Sequence, residues 1–183
     1  MMIMNPRLRK FALTIHITTS VGWIGSVVAY VALVIAAMTS VDVQILRAVW
    51  IAMKLIGWFA VVPLSLISLL TGLVMSLGTK WGLFRHYWVI FSLVLTVFAN
   101  IILLQHMQTV NALASLAAEM NDANITTLRE GLSGELFHGG IGLLILIAIQ
   151  VMNIYKPRGL TPYGWRKQNE NASSRANLET ISQ

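Results

Sequence analysis

The sequence predicts an all-α polytopic membrane protein in which four transmembrane helices form an antiparallel bundle with a small extracytoplasmic helical cap. Of the 183 residues, 56% are hydrophobic and 11% are charged, a more apolar balance than soluble domains show. The apolar residues fall into four stretches of about 20 residues or more, the length that a helix needs to cross a bilayer. Basic residues gather at the ends of these stretches, as they do in membrane proteins.

The predicted transmembrane domain covers residues 1–156, with helices at about 11–38, 48–77, 87–107 and 136–155. The first stretch follows Arg7, Arg9 and Lys10 and looks like a signal peptide, but it is too long and has no clear small-residue cleavage site. We therefore expect it to remain in the protein as a helix. Pro63 is expected to kink the second helix.

The segments that follow the predicted helices differ in length and composition. Residues 39–47 and the glycine- and aromatic-rich segment GTKWGLFRHYW are short, so we expect them to join antiparallel neighbours. Residues 108–135 are longer, and NALASLAAEM and ITTLREGL within them have helical spacing on either side of Asn-Asp-Ala-Asn, which predicts the outer helical cap. Residues 157–183 are expected to form a basic surface turn and then a disordered cytoplasmic tail.

The net charge of +6 reflects basic residues at three helix ends rather than a nucleic-acid-binding surface. These residues are Arg7, Arg9, Lys10, Lys80, Arg85, Lys156, Arg158, Arg166, Lys167 and Arg175. By the positive-inside rule both termini face the cytoplasm, which predicts a bacterial cytoplasmic membrane protein whose main partner is the lipid bilayer. The absence of cysteine excludes disulfides and thiolate metal sites. No Ser-His-Asp set, phosphate-binding glycine loop or intramembrane carboxylate pair points to hydrolase or nucleotide chemistry.

Polar side chains inside the predicted helices are the functional candidates, because polar groups at membrane depth are costly. In the first helix, His16, Ser20, Trp23, Val27 and Tyr30 follow a spacing of three and four and therefore share one face. That face is too polar for lipid, so we expect it to look into the bundle.

The four histidines sort by depth. His86 and His106 are 20 positions apart in the third helix, or about 30 Å, and so lie at opposite membrane surfaces. His16 and His86 form an inner pair, whereas His106 and His138 form an outer pair. Two histidines that face each other across a four-helix bundle suit axial ligation of a haem iron.

Each of these residues also has a simpler interpretation. His86 can anchor the helix at the interface and His106 can be solvated, while Lys54 can extend outward to the membrane surface rather than neutralise a haem propionate. The glycines at 139, 140 and 142 beside His138 leave room for a macrocycle or permit close helix packing. Copper is the competing ligand, since His106 is followed by Met107 with Met120 nearby, but no paired methionine motif supports it.

The first helix resembles known haem and copper proteins. His16, Trp23 and Gly25 form a pattern that resembles the opening helix of the CopD copper-resistance proteins and of the HemJ-type protoporphyrinogen oxidases. In the HemJ type, the resemblance implies that the first-helix histidine is associated with haem b and that a lysine of a later helix is important for function. Trp50 and Lys54 loosely resemble that later segment, although no histidine stands just before the lysine.

A closer resemblance, over most of residues 11–107, is to a family of bacterial four-helix integral membrane proteins. It is carried by SVGWIG, LIGWF, SLLTGL and above all GLFRHYWV, and again by YKPRGLTPYG. This resemblance implies a four-helix fold without implying an activity.

The sequence therefore leads us to expect a b-type haem protein of membrane electron transfer or oxidoreduction, with a quinone or another redox partner. The predicted cofactor-binding residues are His16, His138, His86, His106 and Lys54. The four histidines are also the predicted metal ligands. Two alternatives stay open: a copper or small-solute transporter, and a non-catalytic scaffold or accessory subunit. Homo-oligomerisation is left open as well, and no catalytic residue is assigned.

Overall fold

The computed structural model describes residues 4–79, 82–119 and 121–181. Lys80 and Met120, which the sequence brought into the charge and copper arguments, lie outside the described residues. The helices are α1 (Pro6–Thr39), α2 (Val43–Ile56), α3 (Val62–Gly78), α4 (Tyr87–Ala118), α5 (Asp122–Tyr155) and α6 (Pro162–Ile181), with a π-helical turn at Gly57–Val61 between α2 and α3. The all-α bundle predicted from the sequence is confirmed.

Four helical segments are long and apolar enough to cross a membrane. They are Pro6–Thr39, Val43–Gly78, Tyr87–Ala118 and Ala123–Tyr155. Large apolar side chains face outward along them; Phe59, Leu70 and Leu144 are 79%, 61% and 68% exposed. A water-soluble bundle does not expose apolar surface on this scale, so lipid is the solvent that these faces require.

The four membrane spans form a ring in which each span is antiparallel to its two neighbours. α1 packs against α3 and α5, and α4 packs against α2, α3 and α5. We call the end where α1 begins and α5 finishes the terminal end, and the end with the α1–α2 and α4–α5 connections the hairpin end. The predicted inward face of α1 is confirmed, since Trp23, Val27 and Tyr30 are buried and His16 and Ser20 are half-buried.

The second membrane span is one long helix interrupted by a π turn before Pro63. Proline lacks an N–H group and its ring clashes with the carbonyl four residues earlier, so an ordinary α-turn cannot pass through it undisturbed. The wider turn absorbs this disturbance, and the N–H of Val62 donates to the carbonyl of Gly57. Gly57 also lets α4 approach, because a Cβ there would lie 2.5 Å from Cε of Met107. The predicted kink therefore takes the form of a π turn.

The predicted outer cap, residues 108–135, forms as extensions of α4 and α5 rather than as separate helices. Residues 108–118 contain no glycine or proline that would end α4. Asn121 caps the start of α5 by accepting from the N–H of Asn124 at 3.1 Å. The predicted boundaries at 107 and 136 therefore move to Ala118 and Asp122, which places His106 and His138 within long continuous helices.

The C-terminal tail is helical rather than disordered as the sequence predicts, since α6 covers Pro162–Ile181. The residues at the start of α6 bind the segment before α4. The N–H of Thr161 donates to the carbonyl of Arg85 at 3.0 Å, and its hydroxyl donates to the carbonyl of Phe84. The hydroxyl oxygen of Thr161 also accepts from the N–H of Gly164, which caps α6. The segments GLFRHYWV and YKPRGLTPYG thus contact each other through their backbones.

Candidate functional site

His16 is held by α3 in a defined orientation. Its Nδ1 lies 3.1 Å from the carbonyl oxygen of Ser68 and 3.0 Å from Oγ1 of Thr71. A carbonyl oxygen only accepts hydrogen bonds, so Nδ1 carries the proton in the neutral ring and Nε2 carries the lone pair. Among the described residues Nε2 has no hydrogen-bond partner. An imidazole fixed through Nδ1 with Nε2 available is the arrangement that metal-ligating histidines adopt.

Small and hydroxyl-bearing residues make room for this imidazole between α1 and α3. A Cβ on Gly72 would lie 3.1 Å from Cε1 of His16, so a larger residue would press against the ring. Ser20 donates to the carbonyl of His16 at 2.7 Å, and its Oγ lies 2.8 Å from Oγ of Ser68. The position of His16 is therefore set by its neighbours on both helices.

His16 lies on the wall of a cavity of about 610 Å³ at the terminal end, which is lined by residues of α1, α3, α4 and α5. This volume is within the range of roughly 300–1,000 Å³ that small-molecule and cofactor sites occupy. Apolar residues such as Ile17, Leu93 and Leu146 form much of the wall, and Arg9 and Lys156 add two cations to it. The cavity combines an apolar interior, one available imidazole nitrogen and positive charge.

His86 is not brought into this cavity. It precedes α4 and lines a separate pocket of about 410 Å³ with Arg85, Leu160 and Gln168. Its backbone pairs with that of Leu160, within the contact that docks α6. The predicted inner pair therefore does not come together as two ligands of one site, and His16 is the histidine of the cavity.

A second group of polar residues, which we call the hairpin-end cluster, consists of Tyr30, His106, Glu135 and His138. Glu135 is only 2% exposed, and its Oε2 accepts from the hydroxyl of Tyr30 at 2.5 Å. Nε2 of His106 lies 2.8 Å from the same oxygen. The ring of His106 stacks on that of His138, with 4.6 Å between centroids and 19° between planes.

His106 and His138 are thus brought together, as their depth predicted, but in a stack. Nε2 of His106 is occupied by Glu135, and Nδ1 of His138 lies 2.8 Å from the carbonyl oxygen of Gly134. Parallel rings at this spacing leave no gap for a macrocycle between them. The two residues in this arrangement do not fit axial ligation of one haem, whereas His16 keeps one ring nitrogen available on the wall of the cavity.

The three glycines that follow His138 have different surroundings. A Cβ on Gly139 would lie 3.0 Å from Cγ2 of Val31, whereas Gly140 and Gly142 have nothing within 4 Å of that position. Gly139 therefore permits α5 to approach α1 closely, as in other small-residue helix contacts. Of the two interpretations given for this segment, the packing one applies to Gly139.

Lys54 and the methionine beside His106 lie in other surroundings. Lys54 is half-buried on α2, and its ammonium makes no hydrogen bond or ion pair with any described residue. Met107 is 1% exposed and would meet a side chain at Gly57, so its sulfur belongs to the packed core. No group of three metal-binding side chains occurs in the described ranges. Copper binding stays a prediction.

An apolar layer lies between the cavity and the hairpin-end cluster. Trp23, Val27, Val61 and Leu146 form a buried cluster at this level. Trp23 is seven residues from both His16 and Tyr30, or about 10 Å in each direction along α1. These apolar side chains separate the two polar sites along α1 in this conformation. The transporter alternative gains no support from this arrangement.

Glu135 is the site residue that the sequence analysis missed. The predicted fourth helix began at 136, so its carboxylate was assigned to an outer loop. The available signal was spacing, because Glu135 precedes His138 by three residues and therefore shares its helix face.

Comparison with known proteins identifies no relative. Searches of protein-family models, of curated protein sequences and of solved structures each return no match for this chain.

Proposed function

We propose that the cavity at the terminal end binds haem b and that the protein takes part in membrane electron transfer or oxidoreduction. The observation that carries this proposal is the state of His16, whose Nδ1 is bound by the backbone of α3 while Nε2 is available on the wall of an apolar cavity. Histidine is the commonest axial ligand of b-type haem, and burial and hydrogen bonding of the ligand tune the iron.

The remaining wall of the cavity supports the same proposal. A haem has an apolar ring and two carboxylates, and the cavity offers apolar side chains together with Arg9 and Lys156. Those cations would neutralise the propionates, a role that the sequence had suggested for Lys54. Met75 also lies on the wall, and its thioether sulfur would offer the iron a further donor atom.

Haem would supply one-electron chemistry at this site, and the chain would orient its histidine ligand. Ser68 and Thr71 fix the tautomer of His16, and Gly72 leaves space for its ring. Trp23 closes the cavity toward the middle of the bundle. A membrane quinone is the redox partner that the lipid-facing surface favours.

The proposal includes an orientation. Basic residues concentrate at the terminal end, on the first turn of α1, before α4 and along α6. By the positive-inside rule this end faces the cytoplasm of a bacterial cell. The haem would then lie in the cytoplasmic half of the membrane.

The experiment is a reduced-minus-oxidised spectrum of the full chain, purified in mild detergent after expression with haem supplied. We expect a b-type signal that His16→Ala abolishes. His138→Ala is the matched control, because it removes an imidazole of the hairpin-end cluster and should leave the signal intact. A chain without signal even after haem titration would refute the proposal and favour a scaffold, and metal-dependent flux in vesicles would favour a transporter.

A further inference from the structure

The pocket between α6 and the segment before α4 is a second possible binding site, which we call the α6 pocket. Its volume is about 410 Å³, and its lining includes Arg85, His86, Leu160, Gln168 and Asn171. Among the described residues it shares no lining residue with the cavity of His16. An inference about this pocket therefore does not depend on the haem proposal.

Docking of α6 builds the α6 pocket. The hydrogen bonds of Thr161 to the backbone before α4, and the close approach of Gly164 to the carbonyl of Arg85, hold the two segments together. Gln168 and Asn171 follow Gly164 by four and seven residues, so the three share one face of α6. That face meets Arg85, and the backbone contacts therefore set which polar side chains line the pocket.

The polar side chains of the α6 pocket offer hydrogen-bond donors. The guanidinium of Arg85 has five N–H groups in a planar fork, which matches two oxygens of a phosphate. The amide groups of Gln168 and Asn171 and the ring of His86 add further N–H groups. No aspartate or glutamate lines the pocket among the described residues. This set of donors suits an anion, and a phosphate group fits the fork of the arginine best.

The surface around the α6 pocket has a large excess of positive charge. In residues 4–10, 82–87 and 156–173 the acidic residue is Glu170, and its Oε2 lies 2.9 Å from Nζ of Lys167. The other charged residues of these segments are all basic, namely Arg7, Arg9, Lys10, Arg85, Lys156, Arg158 and Arg166. Such a surface attracts anions, and it does so most strongly next to an anionic membrane.

The α6 pocket lies at the level of the lipid headgroups. Arg85 and His86 directly precede the span Tyr87–Ala118 and therefore lie at its end. The neighbouring segments carry four exposed aromatic side chains, which are Phe84, Tyr87, Tyr163 and Trp165. Aromatic rings are enriched where headgroups meet the hydrocarbon. A phospholipid can place its phosphate in the pocket and its glycerol and chains against these rings, whereas a free phosphate has no use for them.

We propose that the α6 pocket binds the phosphate of an anionic phospholipid. Arg85 makes the charged contact, and Gln168 and Asn171 donate further hydrogen bonds from α6. Both sides of the pocket contribute, so the lipid is bound when α6 is docked and released when α6 separates. A ligand that binds one of two states stabilises that state, and bound lipid therefore holds α6 in place.

The first test is native mass spectrometry of the full chain in mild detergent, titrated with phosphatidylglycerol or with phosphatidylcholine of the same chain length. Phosphatidylglycerol should bind more tightly, and Arg85→Gln should lower its affinity about tenfold or more, because a charged hydrogen-bonding partner is lost. Arg158→Gln is the matched control, since it removes the same charge from an exposed residue outside the pocket, and it should lose clearly less.

Two outcomes of this titration would overturn the proposal. Equal losses in Arg85→Gln and Arg158→Gln would show diffuse attraction to the basic surface rather than a site. Displacement of phosphatidylglycerol by excess inorganic phosphate would show a site for free phosphate rather than for a lipid.

A second variant and a second measurement cover the case in which Arg85→Gln undocks α6. Gln168→Ala combined with Asn171→Ala removes two polar groups from the pocket and breaks no described hydrogen bond. Phosphatidylglycerol, compared with phosphatidylcholine, should slow tryptic cleavage at Arg166 and Lys167 in the unchanged protein and do so less in this double variant. Cleavage that is independent of the lipid, or a double variant that responds as the unchanged protein does, would contradict the proposal.

Discussion

Gly164 is expected to be needed for tight docking of α6. A Cβ at this position would lie 2.4 Å from the backbone oxygen of Arg85 and 3.2 Å from its carbonyl carbon. Both atoms belong to backbone, so no side-chain rotation relieves the contact. Gly164→Ala must therefore separate α6 from the segment before α4, and with it break the bonds from Thr161 to Phe84 and Arg85.

The magnitude follows from those bonds. Two hydrogen bonds at about 1 kcal/mol each are lost, and about 1 kcal/mol is recovered because alanine favours the helix more than glycine does. Allowing for residual steric strain, the docked state loses about 1–2 kcal/mol, or about 5- to 30-fold in the docking equilibrium.

Trypsin provides the assay, because Arg166 and Lys167 lie in the first turns of α6. Cleavage there should accelerate about 5- to 30-fold in Gly164→Ala, since proteolysis follows the open population. Gly159→Ala is the matched control; its Cβ would meet Cδ2 of Tyr87 at an ordinary 3.6 Å. Equal cleavage rates in the two variants would refute the steric reasoning.

Three further substitutions probe the bundle, each measured in detergent. Trp50→Phe should lower the free energy of unfolding by about 1–3 kcal/mol, because it loses the bond from Nε1 to the carbonyl of Leu128 at a fully buried position; a change no larger than that of the partly exposed Trp58→Phe would contradict this. Gly57→Ala should destabilise the chain through Met107, and Met107→Ala should relieve that cost by about 1 kcal/mol or more in a double-mutant cycle, whereas strict additivity would argue against the contact. Gly72→Ala should weaken haem binding, because its Cβ would displace His16. Gly25→Ala is the control, since nothing lies within 4 Å of its Cβ. Equal haem affinities of the two variants would contradict the assignment of the haem site to this cavity.

Much of the fold follows from periodicity and length. Polar and large residues at spacings of three and four along α1 identified the inward face, because a helix repeats every 3.6 residues. The start of α4 at Tyr87 was predicted because a glycine-rich segment precedes it. The C-terminal end of α4 was harder to predict, because the apolar run ends near residue 107 while the helix continues to Ala118. Residues 108–118 lack a helix-breaking residue, and α4 extends through them.

The candidate site was partly predictable. His16 could be found because an imidazole in an apolar span is costly, but the groups that hold it come from α3, more than fifty residues away. Depth along the helices placed His106 near His138, yet depth carries no information on rotation about the helix axis. That rotation decides between facing and stacked rings, and it depends on close contacts such as that of Gly139 with Val31. Docking of α6 was missed because its partner segment is distant in the chain.

The central claim is that Nε2 of His16 is a ligand of haem iron, and chemical rescue tests it most directly. His16→Gly removes the imidazole and leaves a space of its size between α1 and α3. Haem titrated into this variant should give a spectrum without histidine ligation, and added imidazole should restore the spectrum of the unchanged protein. A His16→Gly variant whose haem spectrum equals that of the unchanged protein before imidazole is added would contradict the assignment.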